Sequence, residues 1–197
     1  MNTTKKIIMI GAGGHAKVIF DIANISNIKI SYIVDIKKKL DIEFSRLKHI
    51  VTDNFVKNKI LPNQCYLINA LGIVPGNKKL LRGNVYNDYK KKGYKFLQAI
   101  HPKAIISKDV IVKEGVNIMA GSVIQPGPTI LENSIINTGA LIDHECIIGK
   151  DVHIAPGAIL CGNVKIGNRA FIGAGTKIMP NVSIPKDTII NAGSLIK

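Results

Sequence analysis

A six-residue repeat governs the second half of the sequence. Counting in sixes from Ile100 to Ile196, all seventeen positions hold a bulky aliphatic residue. If about one residue in three were Ile, Leu or Val, chance would give such a run with odds of roughly one in a hundred million, so the period is a structural signal. The aliphatic positions are Ile100, Ile106, Val112, Ile118, Ile124, Ile130, Ile136, Ile142, Ile148, Ile154, Leu160, Ile166, Ile172, Ile178, Ile184, Ile190 and Ile196.

A second track of small residues stands four places after each aliphatic. Fourteen of its sixteen members, from Ala104 to Ser194, are Ala, Ser, Thr or Val. A period of six matches neither a helix nor a simple alternation, but it fits short strands joined by tight turns. We therefore predict a coil whose aliphatics point inward, whose small residues fit where the wall bends, and whose Gly or Asn residues supply the turns. A sandwich of ordinary strands is the alternative, but sandwich strands vary in length and these do not.

The first half opens with one strand, glycine turn, helix and strand over residues 5–35. The turn GAGGHA carries Gly11, Gly13 and Gly14 and satisfies the G-x-G-x-x-G/A pattern, and Asp35 ends the second strand twenty-four residues after Gly11. Glycines at such a turn let backbone N–H groups approach a phosphate at a helix N-terminus. A turn that merely packs a helix onto a sheet, or a nicotinamide-dependent oxidoreductase, would show the same lone motif.

His15 is unusual because its side chain lies in the glycine turn itself, within reach of a bound ligand. Further along we predict a helix over 53–59, a strand over 65–72 and a helix within 77–96. About a hundred residues is short for a full dinucleotide domain, which is built from two mononucleotide halves. The predicted division is therefore an α/β Rossmann-like domain over 1–99 and a repeat domain over 100–197, with Pro102 at the boundary.

Charge and composition narrow the classes of function. The formal charge is +14, and residues 1–99 hold eighteen Lys and Arg against six Asp and Glu. Nucleic-acid binding would want Arg with aromatics on a defined element, whereas here Lys is scattered in runs such as 37–39 and 90–92, which favours solvated loops. Electrostatic attraction of a polyanionic small substrate is a secondary possibility. Three widely spaced cysteines indicate neither a disulfide framework nor a zinc site. No stretch of eighteen apolar residues and no signal peptide is visible, so we expect a cytoplasmic protein without membrane insertion.

The repeat units IGKDVH, IGNRAF and LCGNVK resemble those of the hexapeptide-repeat acyltransferases. That resemblance implies a left-handed parallel β-helix with three strands per turn, here about five turns, and a homotrimer. With IGAGGHAKV, INALG and IDHECIIG added, nearly the whole chain is similar to the bacterial sugar acetyltransferases of the PglD and NeuD type. By this resemblance the first domain binds a UDP-sugar and not NAD, and acetyl-CoA binds between neighbouring protomers. The residues implied for the uridine diphosphate portion are Gly11, Gly13, Gly14, His15 and Asp35.

His144 is the candidate catalytic base. Acyl transfer from a thioester needs a base for the acceptor's proton and donors for the oxyanion. His144 stands two residues past inward Ile142, and a flanking carboxylate of Asp143 or Glu145 can fix its tautomer and raise its basicity. A surface histidine in a loop is the alternative interpretation. The resemblance implies the following roles: His144 as general base, Glu145 as its orienting partner, His153 near acetyl-CoA, Asn137 on the sugar, and the Gly162 N–H facing the thioester carbonyl.

A γ-class carbonic anhydrase shares this coil and needs three histidines on zinc. Only His101, His144 and His153 fall in the repeat domain, and His101 lies more than two turns from His144. Three ligands therefore cannot converge within one subunit, and two across an interface are too few, so we expect no metal.

The prediction is an acetyl-CoA-dependent N-acetyltransferase acting on the amino group of a UDP-linked amino sugar in bacterial surface glycan biosynthesis. Transfer to a sialic acid hydroxyl, or a nucleotide-sugar-binding protein without catalysis, remain alternatives, because amine and hydroxyl need the same base. The family continues past its last coil into a segment resembling GVPAK at the CoA adenine, whereas this chain ends at NAGSLIK. We expect either that the sequence stops early or that the protein holds CoA without that segment. The two prolines of QPGPTI, at 125–130, have no explanation at this level.

Overall fold

A computed structural model describes residues 5–37, 39–75 and 80–197 of the 197-residue chain. The first part is a four-stranded parallel sheet with helices around it. Its strands are β1 (Lys6–Ile10), β2 (Tyr32–Val34), β3 (Lys48–Ile50) and β4 (Cys65–Asn69), and its helices are α1 (Gly14–Ile25), α2 (Asp53–Lys59) and α3 (Leu81–Lys91). The strand order is β3-β2-β1-β4. The predicted βαβ unit and the helices at 53–59 and within 77–96 are confirmed, although residues 76–79 lie outside the described part.

The sheet of the first part is covered on both sides. Ile8, Ile10 and Leu67 face α2 and α3 with a group of buried tyrosines, whereas Met9 and Ile33 face α1. Strands buried on both faces are mostly apolar, which explains the uninterrupted IIMI segment of β1 and the Leu67 and Ile68 pair of β4.

Seventeen two-residue strands follow and form a triangular coil. They complete five turns, begin a sixth, and pair in parallel with partners eighteen residues apart, for example Ile118 with Ile136 and Ile136 with Ile154. The strands are β5 (Ala99–Ile100), β6 (Ile105–Ile106), β7 (Ile111–Val112), β8 (Asn117–Ile118), β9 (Val123–Ile124), β10 (Thr129–Ile130), β11 (Ile135–Ile136), β12 (Leu141–Ile142), β13 (Ile147–Ile148), β14 (His153–Ile154), β15 (Ile159–Leu160), β16 (Lys165–Ile166), β17 (Phe171–Ile172), β18 (Lys177–Ile178), β19 (Ser183–Ile184), β20 (Ile189–Ile190) and β21 (Leu195–Ile196).

The coil has three flat faces. The first face holds β5, β8, β11, β14, β17 and β20; the second holds β6, β9, β12, β15, β18 and β21; the third holds β7, β10, β13, β16 and β19. The aliphatic track points inward and forms one core, with Ile118 to Ile190 buried and the members at either end partly buried. The predicted coil with inward aliphatics is confirmed.

The second track also faces inward, and this explains its small polar members. The hydroxyl groups of Ser122, Ser134 and Thr176 donate to the carbonyl oxygens of Asn137, Gly149 and Asn191. Each acceptor lies fifteen residues later, in the next turn of the coil. A buried hydroxyl is tolerated when it is hydrogen-bonded, so Ser and Thr can replace Ala or Val at these bends.

The corners follow one backbone rule. From Gly115 to Gly193, the third residue after each inward aliphatic has a positive φ, between 58° and 96°. Gly and Asn fill most of these fourteen positions, as predicted. Glu145, Asp151, Arg169 and Asp187 do not belong to those residue types, and such a backbone costs an ordinary residue about 1 kcal/mol. Glu145 and Asp151 are taken up below.

The first part of the chain packs on the first face of the coil. Met119, Ile135 and Phe171 on that face share one buried cluster with Ala16 and Ile19 of α1. The corner between the third and first faces contacts α3 through polar groups. No described helix is long and apolar enough to cross a lipid bilayer.

Candidate functional site

A cavity of about 400 Å³ lies at the carboxyl edge of the parallel sheet. Its walls are Gly13, Gly14 and His15 after β1, and the segment after β4, with Leu81 of α3 on one side. β1 and β4 are neighbours, and the chain leaves them toward opposite sides of the sheet. Open α/β sheets bind ligands at this topological switch point. Three of the five predicted nucleotide-site residues therefore line one cavity.

His15 enters this cavity as a neutral ring with a defined tautomer. Burial, together with the charge of Arg82 and the proximity of His153, lowers its pKa to about 3. The Asn117 Nδ2 atom lies 3.2 Å from His15 Nε2 and also donates to the Asn69 carbonyl at 2.8 Å. Because a carbonyl can only accept, that atom is the amide nitrogen, so His15 Nε2 accepts and Nδ1 carries the proton. His15 can thus donate a hydrogen bond to an anionic or carbonyl oxygen.

Gly11 and Asp35 shape the turn beneath the cavity. Gly11 has a φ of +105°, and a Cβ atom there would lie 2.8 Å from the Leu71 side chain, so no other residue fits. Both carboxylate oxygens of Asp35 accept backbone N–H groups, from Ala12 at 2.7 Å and from Lys37 at 2.9 Å. Asp35 therefore braces the glycine turn. Its predicted direct contact with the nucleotide stays a prediction.

His144 lies at the corner between the second and third faces, in the turn from β12 to β13, and its side chain is exposed. We name this the His144 corner; it also includes residues 125–128 in the turn before and 161–164 in the turn after. A Cβ atom built on Gly162 would lie 2.5 Å from both Cε1 and Nε2 of His144. The imidazole therefore rests directly on the Cα of Gly162.

The glycine at 162 is a consequence of that contact and not of the backbone. The same place in the repeat, two residues after the inward aliphatic, holds alanine at Ala120, Ala174 and Ala192. Gly162 is also absent from the residues with positive φ. The coil thus accepts a methyl group at this position, and only the ring of His144 excludes one here.

Two carboxylates flank His144, but neither is hydrogen-bonded to its ring. Asp143 Oδ1 accepts the backbone N–H of His144 at 2.8 Å. Glu145 has a φ of +61°, and its carboxylate lies over Gly127 of the preceding turn. Among the hydrogen bonds of the described residues, none joins Glu145 to the imidazole. The costly backbone conformation of Glu145 favours a functional role for this residue. Its action on His144 stays a prediction.

The backbone around the His144 corner offers a free donor. The Gly162 carbonyl accepts from Asn181 N at 3.0 Å, whereas no hydrogen bond within the described chain engages the Gly162 N–H. The structure gives the prolines of QPGPTI a structural role. Pro126 and Gly127 lie at the same corner as Glu145, one turn of the coil earlier, and the Glu145 N–H donates to the Pro126 carbonyl. A rigid turn there supports the strained one above it.

A shallow groove of about 270 Å³ runs along the second face to this corner. Outward side chains of Val123, Leu141 and Ile159 form its floor, and Asp143 and Cys161 stand at its end. Leu141 is 40% exposed, and Ile105 and Leu195 continue the apolar row along the same face. The groove therefore offers apolar surface beside an exposed histidine.

His153 is buried on the first face and bonded at both ring nitrogens. Its Nδ1 lies 3.0 Å from the Ile73 carbonyl, and its Nε2 lies 3.0 Å from Asn137 Nδ2. Asn137 Oδ1 accepts the Thr138 N–H at 2.8 Å, which fixes the amide orientation. His153 thus donates from Nδ1, accepts at Nε2, and has a pKa lowered to about 4, chiefly by burial. Its predicted proximity to acetyl-CoA stays a prediction; here it holds Asn137.

The structure separates the predicted residues into two groups. His15, His153 and Asn137 lie on the side of the coil covered by the first domain, whereas His144, Glu145 and Gly162 lie at the opposite corner. A triangular prism places the corner between its second and third faces away from its first face. His144 therefore cannot meet the cavity of its own protomer, and the two groups can meet only across a contact between protomers.

Sequence reasoning missed a buried polar cluster between the two domains. Arg82, Asn69, Asn117 and Asn133 are all fully buried and hydrogen-bonded to one another or to nearby carbonyl groups. Single polar residues within apolar or helical segments did not predict this cluster. Asn133 stands at a corner position where asparagine is ordinary, as at Asn163 and Asn181, and Asn117 is one of several polar residues at a mostly apolar repeat position, so the repeat itself gave no signal.

Comparison with known proteins agrees with both domains. Residues 6–88 match the family described as PglD N-terminal domain, and residues 145–178 and 163–197 match bacterial transferase hexapeptide repeats. A mutant of perosamine N-acetyltransferase from Caulobacter crescentus, solved with CoA and GDP-perosamine, is 32% identical, with a TM-score of 0.88 over 98% of this chain and 88% of that one. The acetyltransferase domain of PglB from Neisseria gonorrhoeae, solved with acetyl coenzyme A, is 30% identical, with a TM-score of 0.84 over 98% of this chain and 93% of that one.

WeeI from Acinetobacter baumannii shares the fold at 18% identity, with a TM-score of 0.74 over 98% of this chain and 94% of that one. These matches confirm the α/β domain followed by a left-handed parallel β-helix and the resemblance on which the site residues were predicted. The chain belongs to the hexapeptide-repeat sugar acetyltransferases of the PglD and NeuD type.

Proposed function

We propose that this protein transfers an acetyl group from acetyl-CoA to the amino group of a nucleotide-activated amino sugar. The observation that carries the proposal is the exposed imidazole of His144, held on Gly162 beside a backbone N–H for which the described residues supply no acceptor. A base and an oxyanion donor at one place are what acyl transfer to an amine requires. The complexes of the two relatives, one with CoA and GDP-perosamine and one with acetyl coenzyme A, support the same pair of substrates.

In this mechanism the sugar amine attacks the thioester carbonyl while neutral His144 accepts the proton that the nitrogen loses. The Gly162 N–H donates to the oxygen that becomes negative in the tetrahedral intermediate. As the carbon–sulfur bond breaks, the imidazolium returns the proton to the leaving sulfur, and CoA departs as the thiol. Glu145 stabilises the imidazolium if its side chain turns from Gly127 toward the ring.

The nucleotide sugar binds in the cavity beside the glycine turn. The exposed N–H groups at the start of α1 and the His15 Nδ1–H face a diphosphate, and the excess of basic residues in the first domain raises its local concentration. We propose a UDP-linked amino sugar, with Asn137 as the contact to the sugar. The GDP-linked sugar in the Caulobacter complex makes the guanine nucleotide the alternative to be tested.

The complete site is proposed to form between protomers. Aliphatic rows on the second and third faces, such as Leu141 and Ile147, remain exposed in the single chain. Packing of these faces against neighbouring copies would bury them, and in the proposed trimer the His144 corner of one protomer lies beside the Asn137 side of the next. A homotrimer of this kind accounts for the separation of the two residue groups.

The experiment is incubation of the purified protein with acetyl-CoA and a panel of UDP- and GDP-linked 4-amino sugars, sialic acid and NAD. Mass spectrometry of the products should show one added acetyl group on an amino sugar, removable only by amide hydrolysis. Acetylation of a sialic acid hydroxyl would replace the proposed acceptor with the runner-up. Sugar binding by calorimetry without any product would reject the transferase assignment.

A further inference from the structure

Arg82 is a cation sealed completely inside the protein, at the start of α3. Its guanidinium makes four hydrogen bonds, all to backbone carbonyl oxygens: Nε to Asn133 at 2.9 Å, Nη1 to Asn69 at 2.8 Å and to Leu71 at 2.7 Å, and Nη2 to Gly115 at 3.1 Å. Asn69 is the last residue of β4 and Leu71 follows it in the first domain, whereas Asn133 and Gly115 are corner residues of the coil. One side chain therefore ties the two domains together.

The two acceptors in the first domain flank the wall of the nucleotide-site cavity. We name residues 70–74 the cavity loop; Ala70, Leu71, Gly72 and Val74 line the cavity opposite His15. The same loop presents the Ile73 carbonyl to His153, the ring that holds Asn137. The position of this loop thus sets both the cavity wall and the far end of the proposed sugar contact.

A second branch of the cluster reaches His15. Asn117 Nδ2 bridges His15 Nε2 and the Asn69 carbonyl, the same carbonyl that accepts from Arg82. Asn69 Nδ2 in turn donates to Asn133 Oδ1 at 2.9 Å. The tautomer of His15 and the end of β4 are consequently fixed by one connected set of buried hydrogen bonds.

This arrangement is costly for the fold alone. Burial lowers the pKa of Arg82 to about 9, which still leaves it charged at neutral pH, and within the described residues no carboxylate is hydrogen-bonded to it. The nearest acidic group, Asp151, is itself partly buried, bonded to Asn133 Nδ2 at 2.6 Å, and has a raised pKa because of burial. Burying a cation without a bonded anion carries a large desolvation cost, which its hydrogen bonds to the Asn133, Leu71 and Gly115 carbonyls offset only in this one arrangement of the two domains.

We infer that Arg82 is a positioning residue for substrate binding: its four hydrogen bonds hold the cavity loop against the coil so that the cavity wall, His15 and the His153–Asn137 pair keep one arrangement. The inference rests on the proposed function, because it assigns Arg82 to the nucleotide-sugar side of that site. It gives Arg82 no part at the His144 corner, which lies across the coil.

The test compares Arg82→Lys with a matched control, Arg169→Lys. Lysine keeps the charge, but its single ammonium group cannot reach four carbonyls spread over two domains. Arg169 also makes two hydrogen bonds, to Asp187, but on the surface and away from the cavity. Kinetic constants are measured for both substrates, nucleotide-sugar affinity is measured by calorimetry, and the His153 Nδ1–H is followed by NMR in protein with labelled histidine.

The inference predicts that Arg82→Lys raises the sugar KM or Kd by about tenfold or more, since misplacing a binding group by about 1 Å costs up to a hundredfold. The acetyl-CoA KM should change by less than about twofold, the His153 Nδ1–H signal should shift or broaden, and Arg169→Lys should match the wild type. Sugar constants and a His153 signal equal to wild type in folded Arg82→Lys protein would overturn it. Equal weakening of both substrates would also overturn it, because a general loosening of the fold would be the cause.

If Arg82→Lys does not fold, Asn117→Ala replaces it as the test. This variant removes the hydrogen bond to His15 and leaves the hydrogen bonds of Arg82 in place. The inference then predicts weaker sugar binding with unchanged acetyl-CoA KM, and unchanged sugar affinity would overturn it. If wild-type protein binds the nucleotide sugar but forms no acetylated product, the proposed function fails while the calorimetric comparison still decides the role of Arg82.

Discussion

Gly162→Ala is a one-methyl change that should disable the proposed base without disturbing the fold. The new Cβ would lie 2.5 Å from Cε1 and Nε2 of His144, against an ordinary contact distance of 3.4 Å. The exposed ring must therefore retreat by about 0.9 Å, which a surface side chain can do at small cost. The backbone also tolerates alanine, because Ala120, Ala174 and Ala192 occupy the equivalent place in other turns.

The expected loss is in turnover. Displacing a catalytic group by about 1 Å can cost a hundredfold, or about 2.7 kcal/mol in the activation free energy. Stability should stay within about 1 kcal/mol of wild type, because removing a glycine restricts the unfolded chain and offsets the small steric cost. The assay is kcat for acetyl transfer, with the melting temperature measured in parallel.

Two controls identify the cause of the loss. Ala174→Gly, the reverse change at the same repeat position in another corner, should leave kcat unchanged. Gly162→Ala added to His144→Ala should cause no further loss, because the methyl group acts only through the ring. A folded Gly162→Ala protein with kcat within about threefold of wild type would refute the placement of His144 as the base.

Three further predictions concern single side chains. His144→Ala should lower kcat by about a hundredfold or more with little change in sugar affinity, and near-normal activity would reject its role. Because burial lowers the pKa of His153 from 6.5 to about 4, the unfolded chain binds more protons at this ring between those values. The His153 contribution to the unfolding free energy should therefore fall by on the order of 3 kcal/mol as pH drops from 6.5 to 4, in addition to a fall from His15, whose pKa is lowered to about 3. In denaturant titrations His153→Gln should remove the His153 part of this slope and leave the His15 part. Asp35→Ala removes the acceptor of the part-buried Ala12 N–H in the glycine turn and of the exposed Lys37 N–H, and it should cost about 1 kcal/mol of unfolding free energy in urea titrations while weakening sugar binding; unchanged values would show that solvent replaces the carboxylate.

Much of the fold could be predicted because the repeat is local. A strict period of six dictates which side chain faces inward, and parallel pairing at eighteen residues follows once each turn has three sides. The first strand, glycine turn and helix are equally local signals. β3 escaped prediction because Lys48–Ile50 is too short to show a pattern, and its place beside β2 depends on the whole sheet.

The site was less predictable because it depends on which parts of the chain meet. Sequence reasoning placed His144 at a corner, but the contact with Gly162 depends on the stacking of successive turns. Asp35 was expected on the nucleotide, whereas the structure shows one oxygen bound to the Ala12 N–H of the glycine turn and the other to the Lys37 N–H after β2. The Arg82 cluster joins residues up to 64 positions apart, as between Asn69 and Asn133, and no periodic pattern encodes such a set.

The central claim is that the His144 corner of one protomer acts on a sugar held by the first domain of its neighbour. Mixing two inactive variants tests it most directly. His144→Ala destroys the corner, and Gly14→Asp places a carboxylate in the cavity where the diphosphate would lie, at a helix start that favours acidic residues. If the two variants are co-expressed in equal amounts and assemble at random into closed rings, roughly one quarter of the sites would combine an intact corner with an intact neighbouring cavity. We expect recovery of about that share of wild-type activity in the purified mixed oligomer; an inactive mixed oligomer would show that the corner and the cavity do not act across protomers.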